Sequence, residues 1–192
     1  MKKILFLLFA AAAFAACNDD DGEPKVRYAT TNDGIENGYL QGANLHFYGT
    51  STVTDAKGKT FTDPEAWFEF AGGPESFSLY MHKTRFAANM PGVEMRLQTV
   101  TYTPKGDKSL NFVREEIIPS ALKENNEGGG SSYQPVERYK ITNLTGAIDG
   151  VDCRVSFTCA GVFQVIYEGR LIIKEYLSST YKCNFLGADN KQ

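Results

Sequence analysis

Few side chains in this sequence have the types and spacing that catalysis requires. The two histidines, His46 and His82, each stand alone in a segment predicted to be a β-strand, without a second metal ligand nearby. A Gly-x-Ser-x-Gly motif, which would present a serine nucleophile on a strand-to-helix turn, is absent from the sequence. We therefore expect no catalytic residue, no metal site and no cofactor, and predict that the protein is not an enzyme.

Two pairs of acidic residues are the remaining candidates for chemistry, because glycoside hydrolysis uses two carboxyl groups that flank the scissile bond. Glu115 and Glu116 are adjacent, whereas Asp63 and Glu65 are two residues apart. Adjacent side chains of a strand point to opposite faces of a sheet, so Glu115 and Glu116 do not face one substrate together. A glycan-directed hydrolase is therefore a minor alternative.

The segments that would position such residues alternate between apolar and polar side chains with a period of two, which is typical of strands. Phe77, Leu79 and Met81 follow this pattern, and Met95 and Leu97 repeat it in a second segment. Turn residues separate about eight to ten such segments from residue 44 onward. The sequence predicts an all-β domain, either an antiparallel up-and-down barrel or a two-sheet β-sandwich.

Three stretches lack the alternation. Residues 17–43 are polar and rich in glycine, so we expect a tether there, followed by a single domain over residues 44–192. Residues 123–135 contain asparagine, glycine and serine with little apolar surface, which predicts a flexible loop. A helical turn is expected only near residues 119–124.

A barrel of this size has an interior that is either filled by side chains or holds one small ligand. The candidates for a ligand site are large apolar and aromatic residues of the predicted strands: Trp67, Phe77, Leu79, Met81, Met95 and Leu97. We predict a binding module that holds a small apolar or amphipathic molecule inside the barrel. The alternative is a filled barrel that binds a partner protein on its outer face or acts as an accessory subunit of an outer-membrane assembly.

The N-terminus has the features of a secretory leader. Lys2 and Lys3 precede an apolar run over residues 4–16, which is too short to span a bilayer and ends at Cys17 before a cluster of aspartates. Phe14-Ala15-Ala16-Cys17 resembles the lipobox of bacterial lipoproteins. The resemblance implies a signal peptide over residues 1–16 and acyl chains, such as palmitate, on Cys17. Ordinary cleavage that leaves Cys17 as a thiol is the alternative.

The acidic run directly after Cys17 resembles the surface-export signals of lipoproteins in Bacteroidota. This implies attachment to the outer membrane through the lipid, on the cell surface or, as the fallback, on the periplasmic face. The chain also resembles the calycin-like, or lipocalin-like, β-barrel lipoproteins of the same bacteria. That resemblance lies in the strand Phe47-Tyr48-Gly49-Thr50 and in residues 141–146 and 167–171.

Charge and cysteines limit the partners and the cross-links. The formal net charge is −3 and no cluster of basic residues occurs, which argues against a nucleic-acid partner. Cys153 and Cys159 lie in one predicted strand, about 20 Å apart, too far for a disulfide between them. A disulfide would therefore join Cys183 to Cys153 or to Cys159, and three unpaired buried thiols are the alternative.

Overall fold

Eight strands, each antiparallel to both of its neighbours, close into a barrel. The computed structural model describes residues 26–124 and 130–173. Within these ranges the strands are β1 (Ile35–Glu36), β2 (Tyr39–Leu40), β3 (Asn44–Thr54), β4 (Thr60–Gly72), β5 (Ser76–Thr84), β6 (Val93–Gly106), β7 (Ser109–Ile117), β8 (Ser120–Glu124), β9 (Ser131–Pro135), β10 (Ile141–Asp149), β11 (Asp152–Cys159) and β12 (Phe163–Leu171). A short 3-10 helix, Glu137–Tyr139, precedes β10.

The barrel follows the chain order, with β8 and β9 inserted between its fifth and sixth strands. Hydrogen-bonded neighbours run β3, β4, β5, β6, β7, β10, β11 and β12, and β12 then pairs with β3 along its whole length, from Gln164 opposite Thr54 to Leu171 opposite Phe47. The closing pair leaves no open edge between the first and last strands. The predicted up-and-down barrel is confirmed, and the alternative of a two-sheet sandwich is wrong.

The period-two pattern explains why the interior is apolar. Phe68 of β4 lies opposite Phe47 of β3 and Met81 of β5, and all three side chains are buried. Because opposite residues of antiparallel strands share a face, this row points into the barrel, and the intervening polar residues point outward. The inward residues of all eight strands form one continuous core.

The N-terminal segment closes one end of the barrel, the end at which β3 begins and β12 finishes. We call it the near end. Ile35 and Leu40, one from each strand of the β1–β2 hairpin, are fully buried there. The Asn32 side chain donates to the Gly150 carbonyl at 2.7 Å, and the Leu40 N–H donates to the Tyr102 hydroxyl at 3.0 Å.

The prediction of a tether over residues 17–43 is therefore wrong for the hairpin, and residues 17–25 lie outside the described ranges. Its two-residue strands each contribute a single buried apolar residue, which is too little for a periodic signal in the sequence.

The β5–β6 connection covers the opposite, far end of the barrel. Phe86 is buried there, with its ring centroid 5.8 Å from that of Phe163 and 6.0 Å from that of Tyr139. Both ends of the barrel are thus closed by apolar side chains.

The region from residue 120 to residue 135 differs from the sequence prediction. β8 pairs with β6 through Ala121 opposite Met95, and β9 pairs with β8 through five residue pairs. The expected helical turn near residues 119–124 is wrong, and the expected loop over 123–135 includes two strand segments, while residues 125–129 lie outside the described ranges. β8 and β9 form because their backbones pair with β6 and with each other. Their side chains lack the apolar alternation from which a strand is predicted. No helix within residues 26–124 and 130–173 is long and apolar enough to cross a membrane.

Candidate functional site

Five of the six predicted ligand-site residues belong to the core of the barrel. Phe77, Leu79, Met81, Met95 and Leu97 are each 0–1 % exposed and pack within the same cluster. The structure therefore brings these five together, as the alternation predicts. They meet one another and the opposite wall of the barrel.

Aromatic rings fill the space between the walls. The Phe68 and Tyr167 rings stack with centroids 3.8 Å apart, and the Phe77 ring lies 5.1 Å from both Phe70 and Phe112. The Tyr167 hydroxyl, buried among these rings, donates to the Phe47 carbonyl at 2.7 Å. A buried hydroxyl with a protein partner needs no bound ligand to satisfy it.

The interior is packed so closely that aromatic rings lie directly on glycine backbone. The Phe112 ring covers Gly146 on β10, and a Cβ added at Gly146 would meet the ring Cε2 atom at 2.6 Å. The Tyr167 ring covers Gly169 on β12 in the same way. Side chains thus occupy even the volume that a methyl group would need.

Trp67, the sixth predicted residue, lies on the outer face of the barrel. It is opposite Tyr48 and His82, one position out of phase with the inward row of Phe68. Its ring stacks on the His82 ring, with centroids 3.4 Å apart and planes 9° from parallel. The structure does not bring Trp67 together with the other five residues, because its neighbour Phe68 takes the inward position.

The outer face around Trp67 contains a polar cluster that joins four strands. His82 of β5 lies between two carboxylates: Nε2 is 3.3 Å from Glu69 Oε2 on β4, and Nδ1 is 2.7 Å from Glu94 Oε2 on β6. The Asn44 side chain donates to the other oxygen of Glu69 at 2.6 Å, and the Lys83 N–H donates to Glu94 at 3.0 Å. We call these five residues the His82 cluster.

The electrostatics of this cluster favour an imidazolium. Burial lowers the pKa of His82, but the hydrogen bonds and negative charges of Glu69 and Glu94 raise it by more, so the pKa lies above its ordinary value. Burial raises the pKa of Glu69, and the hydrogen bond with His82 and the nearby positive charges reverse that effect and lower it.

An imidazolium whose two ring N–H groups both donate hydrogen bonds has no free lone pair for proton abstraction or metal binding. We therefore interpret the cluster as a clamp between strands.

Next to the clamp, Arg96 lies between two tyrosines. Its guanidinium carbon is 4.6 Å from the Tyr133 ring centroid on β9 and 6.0 Å from that of Tyr80 on β5. Burial first, and then the charge of Glu94, raise the pKa of Tyr133 to about 12. These cation–π contacts fasten the β8–β9 hairpin to the outer wall.

Two of the four acidic residues considered for catalysis, Asp63 and Glu116, form ion pairs. Asp63 is buried and accepts two contacts from Arg85, from Nε at 2.9 Å and from Nη2 at 2.8 Å. The Arg85 hydrogen bond outweighs burial and lowers the pKa of Asp63. Glu115 is exposed, and Glu116 forms an ion pair with Lys140 at 3.0 Å.

Cys153 and Cys159 face the core. Burial raises the pKa of Cys153 well above its ordinary value and raises that of Cys159 to about 12. A thiol held neutral in this way is neither a nucleophile nor a metal ligand. Cys183 and Cys17 lie outside the described residues, so the disulfide and the lipid on Cys17 stay predictions.

Grooves are found on the outer surface of the barrel. One of about 450 Å³ follows β10, β11, β12 and β3 near the end closed by the hairpin, and Arg154, Glu168 and Arg170 contribute to its lining. Another, of about 360 Å³, lies at the far end and is lined by Asp63 and Glu65 together with Lys83, Arg85 and Gly92. Among the described residues no group of three or more His, Cys, Asp or Glu side chains is arranged to hold a metal ion.

Comparison with models of protein families, with curated proteins and with solved structures gave no match to this chain. The outer surface therefore has to be interpreted from its own geometry. The His82 cluster was not identified from the sequence, because its members are distributed over four strands. Only the register, with Glu69 opposite Tyr80 and His82 two pairs away on the same face, brings them together.

Proposed function

We propose that the protein is a lipid-anchored interaction module that binds a partner protein through the outer surface of a filled, calycin-like barrel. The observation that supports this most directly is the filled interior. Five residues proposed for a ligand site are 0–1 % exposed, and apolar side chains close both barrel ends. A small molecule inside the barrel would need a cavity of several hundred Å³, and the grooves of that size described above lie on the outer surface instead.

The remaining chemistry favours binding over turnover. His82 has a carboxylate on each ring nitrogen, Asp63 has Arg85, and burial holds both described cysteines in the neutral form. A catalytic set needs a nucleophile or base with an orienting partner and room for a substrate. We therefore propose a function without catalysis.

The lipid anchor on Cys17 is part of the proposal. Nine peptide units separate Cys17 from Val26, and a fully extended chain of that length spans about 30 Å. The barrel would thus stay within about one domain diameter of the outer membrane, on the cell surface or on the periplasmic face. Protein purified from its native membrane should lack residues 1–16 and have the mass of acyl chains on Cys17, and a Cys17→Ser variant should leave the membrane fraction. Retention of the variant in that fraction would contradict the anchor.

A dye-binding experiment separates the filled barrel from a ligand-binding barrel. The wild-type domain should not enhance the fluorescence of 1-anilinonaphthalene-8-sulfonate, because its interior offers no space. Phe77→Ala, which removes a fully buried ring, should create an apolar cavity of about the size of benzene, and stabilisation of this variant but not of the wild type by benzene is the positive control for a cavity in the interior. Saturable binding by the wild type, competed by fatty acid, would refute the proposal, and native mass spectrometry of protein from its own cells would then identify the ligand.

A further inference from the structure

One part of the outer wall presents only uncharged side chains and extends over six neighbouring strands, from β7 through β10, β11, β12 and β3 to β4. In β11, Ser156 and Thr158 flank the buried Phe157, and in β12, Gln164 and Ile166 flank the buried Val165, so these four side chains point outward. The pairing extends both rows across the wall. We define the neutral face as Val113, Thr142, Thr145, Ser156, Thr158, Gln164, Ile166, Thr52, Thr54, Thr60 and Thr62.

Strand propensity does not explain this composition by itself. Threonine is favoured at exposed strand positions, but the same strands are charged one row further along. There Arg154 of β11 forms an ion pair with Glu168 of β12 at 3.4 Å, and Arg170 of β12 lies opposite Asp152. Charge is therefore absent from one half of this wall and abundant in the other half.

The neutral face also exposes aliphatic side chains. Val113 is 66 % exposed and Ile166 is 40 % exposed, and between them the Thr145 and Ser156 hydroxyls bond to each other at 2.8 Å. One hydroxyl of the pair donates to the other, so a single O–H donor is left for a partner surface to satisfy. An uncharged centre with ion pairs at its margin, here Arg154–Glu168 and Lys140–Glu116, has the low charge at the centre and the polar rim of a protein–protein interface.

Its position suits a partner on the side away from the membrane. The described chain enters at the near end, where Tyr28 pairs with Ile172 beyond the end of β12. The neutral face lies in the other half of the wall, toward the end of β3 and the start of β12. On an anchored chain, the charged half would be nearer the lipid and the neutral half farther from it.

The area and the curvature of the neutral face argue against a second copy of this chain as the partner. Six strands at about 4.8 Å spacing and two rows about 7 Å apart give the face an area on the order of 300 Å². A stable interface buries about 800 Å² on each partner. Two convex barrel walls would touch over only part of this face, whereas a flat or concave partner could also cover its margin.

We propose that the neutral face is the docking surface for a different folded protein, which presents an uncharged surface of hydroxyl and aliphatic groups. This rests on the proposed function and specifies which surface performs it. The face has no cation for a nucleic acid or an anionic lipid, and no aromatic side chain on which a sugar could stack. A protein surface of matching polarity is the occupant that fits.

Photo-crosslinking of the full-length chain in its own cells tests the proposal. Benzoylphenylalanine replaces Ile166 in one strain and Leu122 in another, since these residues are 40 % and 39 % exposed and both aliphatic. We expect one light-dependent adduct with a protein of defined mass from position 166 and none from position 122. Thr52→Lys, opposite position 166, should reduce the adduct about tenfold or more, because a lone charge would be buried in the contact.

Thr101→Lys, an exposed position on β6, is the matched control and should leave the adduct unchanged. If Thr52→Lys fails to fold by circular dichroism, Thr62→Lys in the same row replaces it. An adduct with twice the mass of the chain, an adduct with lipid, or equal adducts at positions 166 and 122 would overturn the proposal. An adduct at position 122 alone would reject this face but keep the interaction function, and no adduct at any position would reject both.

Discussion

Alanine at Gly146 tests whether the barrel interior has any room. A Cβ at this position would approach the Phe112 ring at 2.6 Å from Cε2 and 2.7 Å from Cε1, distances below those of real Cβ contacts. The ring cannot move aside, since it is buried and its centroid lies 5.1 Å from that of Phe77 and 5.9 Å from that of Phe70. Overpacking of a dense core costs about 1–3 kcal/mol, and we expect Gly146→Ala to lose about that much unfolding free energy.

The assay is urea unfolding followed by circular dichroism, with the slope of the transition checked against wild type. Gly73→Ala is the matched control, because no atom lies within 4 Å of its added Cβ, and we expect it to change the unfolding free energy by less than about 0.5 kcal/mol. Phe112→Leu combined with Gly146→Ala should cost less than the sum of the two single changes. If Gly146→Ala is as stable as Gly73→Ala, the interior has slack, and the argument against an internal ligand loses its basis.

Three further predictions concern charge and backbone conformation. Because the pKa of His82 is raised on folding, the stability from its charged ring is complete below about pH 6.5 and is lost as pH rises through the raised value. His82→Gln should therefore destabilise more at pH 6 than at pH 9 in urea titrations, and an equal deficit at both would contradict the charged state. Thr99 has a φ of 55° at an irregularity in β6, so Thr99→Gly should raise the unfolding free energy by about 1 kcal/mol while Thr101→Gly lowers it, as thermal unfolding would measure. Arg85→Met should cost about 2 kcal/mol at pH 7 by leaving Asp63 buried without its partner, and less at pH 3, where a protonated Asp63 needs none; a pH-independent cost would reject this explanation.

Much of the barrel could be predicted because its strands obey the simplest rule. Phe77, Leu79 and Met81 alternate with polar residues in the sequence, and in the structure all three point into the barrel from β5. Local patterns of this kind need no knowledge of distant contacts.

The errors arose where a contact distant in sequence determined the outcome. Because Trp67 is aromatic, the sequence places it among the interior candidates. In the pleated strand β4, however, Phe68 points inward, and Trp67 points outward and stacks on His82. Ile35 and Leu40 lie in a polar stretch, and they are buried only because they pack against the near end of the barrel. Nothing in those short segments distinguishes a hairpin that closes the barrel from a linker.

The pairing of β3 with β12 has a consequence for how the chain folds. The Tyr167 hydroxyl reaches the Phe47 carbonyl across 120 residues of sequence, and the two strands meet along eight residue pairs. Contacts of such long range slow folding, since the loop-closure entropy is lost before the contacts form. During synthesis the edge of β3 that pairs with β12 therefore stays unpaired until nearly all of the described chain has emerged. A ribosome-bound chain that stops before residue 163 should remain open to proteolysis, and the release of β12 should protect all eight strands in a single step.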